Sequence, residues 1–251
     1  RRDLRWMGAA LVEAGFPEAA EVYLAQLVEN SSGDAEAQYN LALLRREAGK
    51  PALALSGVRA ALTARPVFPE AENLLAVLLM DSGQFADARA QLEKTTREAP
   101  DYAEAWNNLG YSLLLQGELP PARAALERAL ALAPDFPDAL DNLGIVLARQ
   151  RDVAKAGELF RRALELQPEN EMAANNLGVL YAQQGRTEEA LETFRKLLQH
   201  NPGASSAVYN LAKLEISLGK TSEAKSLLES WLAQHPSDAT ARNLLQSTTK
   251  K

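Results

Sequence analysis

The sequence contains no cysteine, which excludes disulfides, thiolate metal sites and a cysteine nucleophile. That absence leaves the compartment open between the cytoplasm and a bacterial periplasm. Aromatic residues make up only 6% of the chain and β-branched residues are sparse, so a sheet-rich fold is disfavoured. The longest uninterrupted apolar run, Leu74 to Met80, is far too short to cross a bilayer, and no membrane insertion is expected. Clustered positive charge is also missing. With a formal net charge of −6, the chain is a poor partner for nucleic-acid phosphates. It begins Arg1-Arg2-Asp3 rather than with a methionine, the beginning expected of a processed chain or of a portion of a longer protein.

What is abundant is alanine and leucine, within a chain that is 47% hydrophobic and 24% charged. This composition suits a folded, helical protein. It also hides a period. The elements YNLA (39–42), NNLG (107–110), DNLG (141–144), NNLG (175–178) and YNLA (209–212) recur on a frame of 34 residues. Begun at Arg1, the frame runs without insertion through seven repeats: 1–34, 35–68, 69–102, 103–136, 137–170, 171–204 and 205–238. The remaining 239–251 read as a capping helix with a polar tail. Asp238 is its N-cap, Leu244 and Leu245 are its apolar face, and Trp231 is expected to pack near it.

Each column of the frame has a physical meaning. Position 20 is alanine in all seven repeats, from Ala20 to Ala224, and position 8 is always glycine or alanine. Two small columns let two helices approach closely. Position 15 is glycine except at Arg151, which suits a left-handed residue ending a helix. Position 32 is proline except at Ser32, which stops the next helix. Each repeat is therefore predicted to hold helix A at about positions 2–14 and helix B at about 18–31.

On these residues, among them Trp106, Leu109, Gly110, Ala122, Leu126, Ala129 and Pro134, the chain resembles the tetratricopeptide repeat (TPR) family over 1–238. The resemblance implies an all-α, right-handed superhelical solenoid of stacked helix-turn-helix repeats, with helix A lining a concave face. It implies a protein-binding scaffold, and positions 2, 5, 6, 9, 12 and 13 of helix A as the groove.

Position 6 reads Asn40, Asn108, Asn142, Asn176 and Asn210, and position 5 adds Tyr39, Asn73, Asn107, Asp141, Asn175 and Tyr209. Two uses are open for this ladder. An amide offers both a donor and an acceptor, and so can bond the backbone of an extended peptide; it can equally bond a neighbouring helix and fix the stacking. Beside it, Val77, Met80, Tyr111, Leu114, Ile145 and Val179 at positions 9 and 12 are expected to form an apolar floor. Chaperone-binding members of the family grip a terminal carboxylate with lysine, asparagine and arginine across three repeats, and no trio here supplies that clamp. The acidic column Glu36, Glu70, Glu104 and Asp138 is read as the negative start of each helix A, favourable to the helix dipole, and alternatively as a rim for a basic ligand.

No catalytic site, metal site or cofactor motif is found. His200 and His235 fall beside Pro202 and Pro236 at helix ends, where a ring nitrogen meets the last carbonyls. The expected partner is a protein or peptide, bound in the groove. Two other readings stand beside this one: a substrate-presenting arm of a larger enzyme such as the protein O-linked N-acetylglucosamine transferase, and an envelope assembly factor like the repeat-built lipoproteins of pilus pores. Self-association through the end repeats is also open, with Trp6 as its sequence hint.

Overall fold

The computed structural model describes residues 10–11 and 14–248; Trp6 and most of the first helix A lie outside them. Among the described residues, fourteen α-helices follow one another and no strand occurs. The chain divides into two compact units, Arg1–Ala133 and Pro134–Lys251. The first holds α1 (Pro17–Asn30), α2 (Ala35–Glu47), α3 (Pro51–Ala64), α4 (Pro69–Asp81), α5 (Phe85–Glu98), α6 (Ala103–Leu115) and α7 (Leu119–Leu132). The second holds α8 (Pro137–Arg149), α9 (Val153–Leu166), α10 (Glu171–Gln183), α11 (Thr187–His200), α12 (Ser205–Ser217), α13 (Thr221–Gln234) and α14 (Ala239–Thr248). Even-numbered helices up to α12 are the A helices of the frame and odd-numbered ones the B helices. Both kinds begin one residue earlier than the pattern predicts, because the capping residue sits at the last position of the preceding turn.

The turns follow from residue type. Glycines 49, 83, 117, 185 and 219 adopt φ between 68° and 79°, and Arg151 holds the same left-handed conformation at φ 70°. In these turns the chain reverses through a bond that spans five residues, as in Lys50 N–H to the Arg45 carbonyl (2.8 Å) and Asp152 N–H to the Leu147 carbonyl (2.9 Å). Starts are set by proline in the first turn of α1, α3, α4, α7 and α8. At α2, α9, α10 and α14 a side-chain oxygen caps the first turn: Asn170 accepts from Ala173 N–H at 3.0 Å, and Asp238 from Ala241 N–H at 3.0 Å.

The small columns are the core of each hairpin. All seven alanines at position 20 are wholly buried. A Cβ added to Gly144 would lie 2.5 Å from the ring of Phe160, and one on Gly178 would lie 2.4 Å from that of Phe194. Phenylalanine at position 24 is thus matched by glycine at position 8. Where position 8 is Ala42, Ala76 or Ala212, position 24 is the smaller Val58, Leu92 or Leu228. This is volume complementarity at interior packing density. Among the described residues of the first unit one carboxylate is buried: Glu72, wholly covered, accepts from Lys94 Nζ at 2.5 Å and Thr95 Oγ1 at 3.0 Å, which joins α4 to α5.

Packing within each unit shows which face is inner. Helices α2, α4 and α6 touch in succession, as do α8, α10, α12 and α14, whereas the odd-numbered helices touch only their chain neighbours. The A helices therefore line the tighter side of each stack. At the end of the second unit, Trp231 packs with Ala241, Leu244 and Leu245 of the terminal helix. Its indole donates to Asp238 Oδ2 at 2.7 Å, and its ring stacks on His235 at 3.8 Å.

Candidate functional site

The A-helix face carries most of the residues singled out in the sequence, and the structure assigns many of their polar atoms. In the first unit, Asn108 Nδ2 donates to Asn73 Oδ1 at 2.9 Å, and Asn107 Nδ2 donates to Asn108 Oδ1 at 3.3 Å. In the second, Asn176 Nδ2 donates to Asp141 Oδ1 and Oδ2 at 2.9 and 3.2 Å, and Asn210 Nδ2 donates to Asn175 Oδ1 at 3.1 Å. Asn175 in turn donates to Ser206 Oγ, and Ser206 to Glu171. In the three cases of Asn108, Asn176 and Asn210, position 6 of one repeat latches onto position 5 of the repeat before it, 35 residues earlier. The pairing can be seen in the two columns once they are offset by one repeat. Where position 6 is apolar, at Leu74, the preceding position 5 is Tyr39 rather than an amide.

These latches change the reading of individual residues. Asn107 and Asn142 are each 5% exposed, and Leu114 is 2% exposed. Leu114 is therefore core rather than groove floor: position 12 of α6 faces inward, with its neighbour Leu113 equally covered. The hydroxyl of half-buried Tyr209 donates to Asp238 Oδ2 at 2.5 Å and ties α12 to the start of α14. Asn40, Tyr39, Val77, Met80, Tyr111 and Ile145 are half-buried on the A face. Tyr39 leans against Phe68, with ring centroids 5.2 Å apart. Val179 is the open member of the predicted floor, at 41% exposure. Met172 is 56% exposed on the same helix. Spaced at 172, 176 and 179, Met172, Asn176 and Val179 share one face of α10.

Electrostatics around the ladder are set by burial. Asp141 is 1% exposed, and loss of water pushes its carboxyl from the ordinary 3.8 up to about 6; the Asn176 hydrogen bond opposes the rise and Asp138 adds to it. In the first unit, burial raises the phenols of Tyr39 and Tyr102, and Glu70 and Glu104 push them further in the same direction. Glu36 of the acidic column pairs with Arg65 at 2.8 Å. Asp238, accepting from Tyr209, Ala241 and Trp231, is held down at about 2. Both histidines meet helix carbonyls through Nδ1: His200 with Lys196 at 2.8 Å and His235 with Trp231 at 3.2 Å. Among the described residues no group of three or more acidic or imidazole side chains could hold a metal ion, and no helix is long and apolar enough to cross a membrane.

Comparison with known proteins gives a consistent family signal. Family models of the tetratricopeptide repeat match residues 7–69, 73–137, 120–171, 142–205 and 181–247. No curated protein matches the chain. Among solved structures, the APC/C hetero-tetramer Cut9–Hcn1 superposes with a TM-score of 0.80 at 20% identity, over 96% of this chain and 48% of that one. The present chain thus spans about half the length of that relative. PilF of Pseudomonas aeruginosa superposes with a TM-score of 0.68 at 20% identity, over 85% of this chain and 97% of its own. YrrB does so at 0.52 and 24% identity, over 74% of this chain and 96% of its own.

Proposed function

The chain belongs to the tetratricopeptide-repeat family, and from that premise we propose that it is a non-catalytic scaffold which binds an extended segment of a partner protein on its A-helix face. The observation that carries the reading is the open face of α10. Two large apolar side chains, Met172 at 56% and Val179 at 41% exposure, flank Asn176 in water. Asn176 uses its amide nitrogen on Asp141, and its Oδ1 has no partner among the described residues. An exposed apolar pair around an amide acceptor suits a peptide that presents a backbone N–H between two apolar side chains. YrrB, whose structure is described as a TPR protein with an unusual peptide-binding site, lends support by likeness of fold. The likeness to PilF carries the fold and no assignment to an envelope pathway.

The test is a display selection of peptides against the full chain, followed by calorimetry on the selected peptide with Met172→Glu and Val179→Glu variants. Both positions are exposed, so both variants fold. Affinity lower by about tenfold or more in each variant is expected. Selected peptides that bind both variants as tightly as the parent would refute the assignment.

A further inference from the structure

Away from the A-helix face, the notch where α11, α12 and α13 meet holds a carboxylate with one oxygen that lacks a donor. Position 11 of helix A is leucine in the middle repeats, at Leu79, Leu113 and Leu147, but Glu215 in the seventh. Glu215 is 3% exposed. Its Oε1 accepts from Arg195 Nη2 at 2.9 Å, and its Oε2 is buried with no hydrogen-bond partner. A buried acceptor without a donor is costly, and native structures rarely leave one so. Glu215 lines a shallow surface notch of about 380 Å³, open to solvent, whose apolar walls are Leu198, Leu211 and Leu227 and whose rim includes Glu223. Glu223 has no ion-pair partner among the described residues. The notch therefore contains two carboxylates against one guanidinium.

We propose that this notch receives a lysine side chain of a partner protein, its stem against the three leucines and its ammonium between Glu215 Oε2 and Glu223. The chemistry selects lysine over arginine. With Oε1 already held by Arg195, one oxygen of Glu215 still lacks a donor, which suits a point-like ammonium and not the two-pronged fork of a guanidinium. The rim residues Arg195, Gln199 and Glu223 are exposed, so a side chain enters from the surface. The preceding notch, between α9, α10 and α11, has no such vacancy for charge: Tyr181 stands in place of Glu215, and its hydroxyl is already met by Arg161 Nη1 at 3.2 Å. The site is particular to the last repeat.

The test titrates the full chain with N-acetyl-lysine amide while the methyl resonances of Leu198, Leu211 and Leu227 are followed by NMR. Parallel arms use the same compound acetylated at Nζ, the arginine analogue and n-butylamine. A saturable shift of these methyls with the lysine compound is expected, abolished by Nζ-acetylation and weakened about tenfold or more by Glu215→Gln and by the exposed Glu223→Gln. Circular dichroism checks the fold of both variants, and Glu223→Gln decides alone if Glu215→Gln unfolds. The proposal fails if no saturable shift appears up to about 10 mM, if the acetylated compound or the arginine analogue binds as well, or if the variants bind like the parent. Tighter binding of butylamine than of the lysine compound would overturn the assignment to a partner's side chain in favour of a free amine.

Discussion

Replacing Asp141 by asparagine converts the Asp141–Asn176 latch into the amide pair already present one repeat later, Asn175 with Asn210, at almost unchanged volume. The carboxylate it removes is 1% exposed, with a pKa raised from 3.8 to about 6. At about 1.4 kcal/mol per pH unit, that rise amounts to about 3 kcal/mol held against the ionised group in the folded state. The sign follows from proton counting. Between about pH 4 and 6 the folded chain retains a proton that the unfolded chain has lost, so this group's contribution to stability falls as pH rises through the window and is level above it. An amide has no such dependence and keeps an acceptor for Asn176. The variant should therefore match the parent near pH 4 and exceed it by about 1–3 kcal/mol at pH 7. Paired urea titrations at pH 4, 5, 6 and 7, monitored by circular dichroism, give the difference directly, because every other carboxyl is common to both proteins. A difference independent of pH, or a variant less stable at pH 7, would refute the assignment of burial as the dominant influence on Asp141.

The hairpin core gives a second expectation: Gly178→Ala forces a Cβ into the Phe194 ring and should cost about 1–3 kcal/mol, and adding Phe194→Leu should recover most of the loss in a thermal melt. For the buried acid, Lys94→Met leaves Glu72 with Thr95 alone and should destabilise the chain by about 3 kcal/mol, whereas the double replacement Lys94→Met with Glu72→Leu should restore the parent's urea midpoint to within about 1 kcal/mol. A Lys94→Met variant as stable as the parent would show that the pair contributes nothing, and a double replacement no more stable than the single one would show that the loss does not come from an orphaned carboxylate.

Much of the fold could be read from the chain because its signals are local and repeated. Alanine at position 20, glycine at 15 and proline at 32 act through backbone conformation and close approach within a single hairpin, so periodicity alone identifies both helices and both turns. Even the exception was informative, since Arg151 occupies the left-handed conformation that its glycine counterparts adopt. The polar site was less legible. That asparagine recurs at position 6 was plain, but whether its amide meets a ligand or a neighbour depends on which atoms lie within 3 Å. That is settled only when side chains 35 residues apart are stacked, as for Asn108 with Asn73 and Asn210 with Asn175. Exposure likewise belongs to the assembled stack: Leu114 and Val179 share the same apolar character, yet one is 2% exposed and the other 41%. The sequence by itself determined the hairpin and its repetition, because backbone preferences act over a few neighbouring residues. Only the tertiary structure decided which amides are latches, which apolar side chains remain in water and that one oxygen of Glu215 is buried without a donor, because solvent exclusion and hydrogen-bond geometry arise between repeats and not within them.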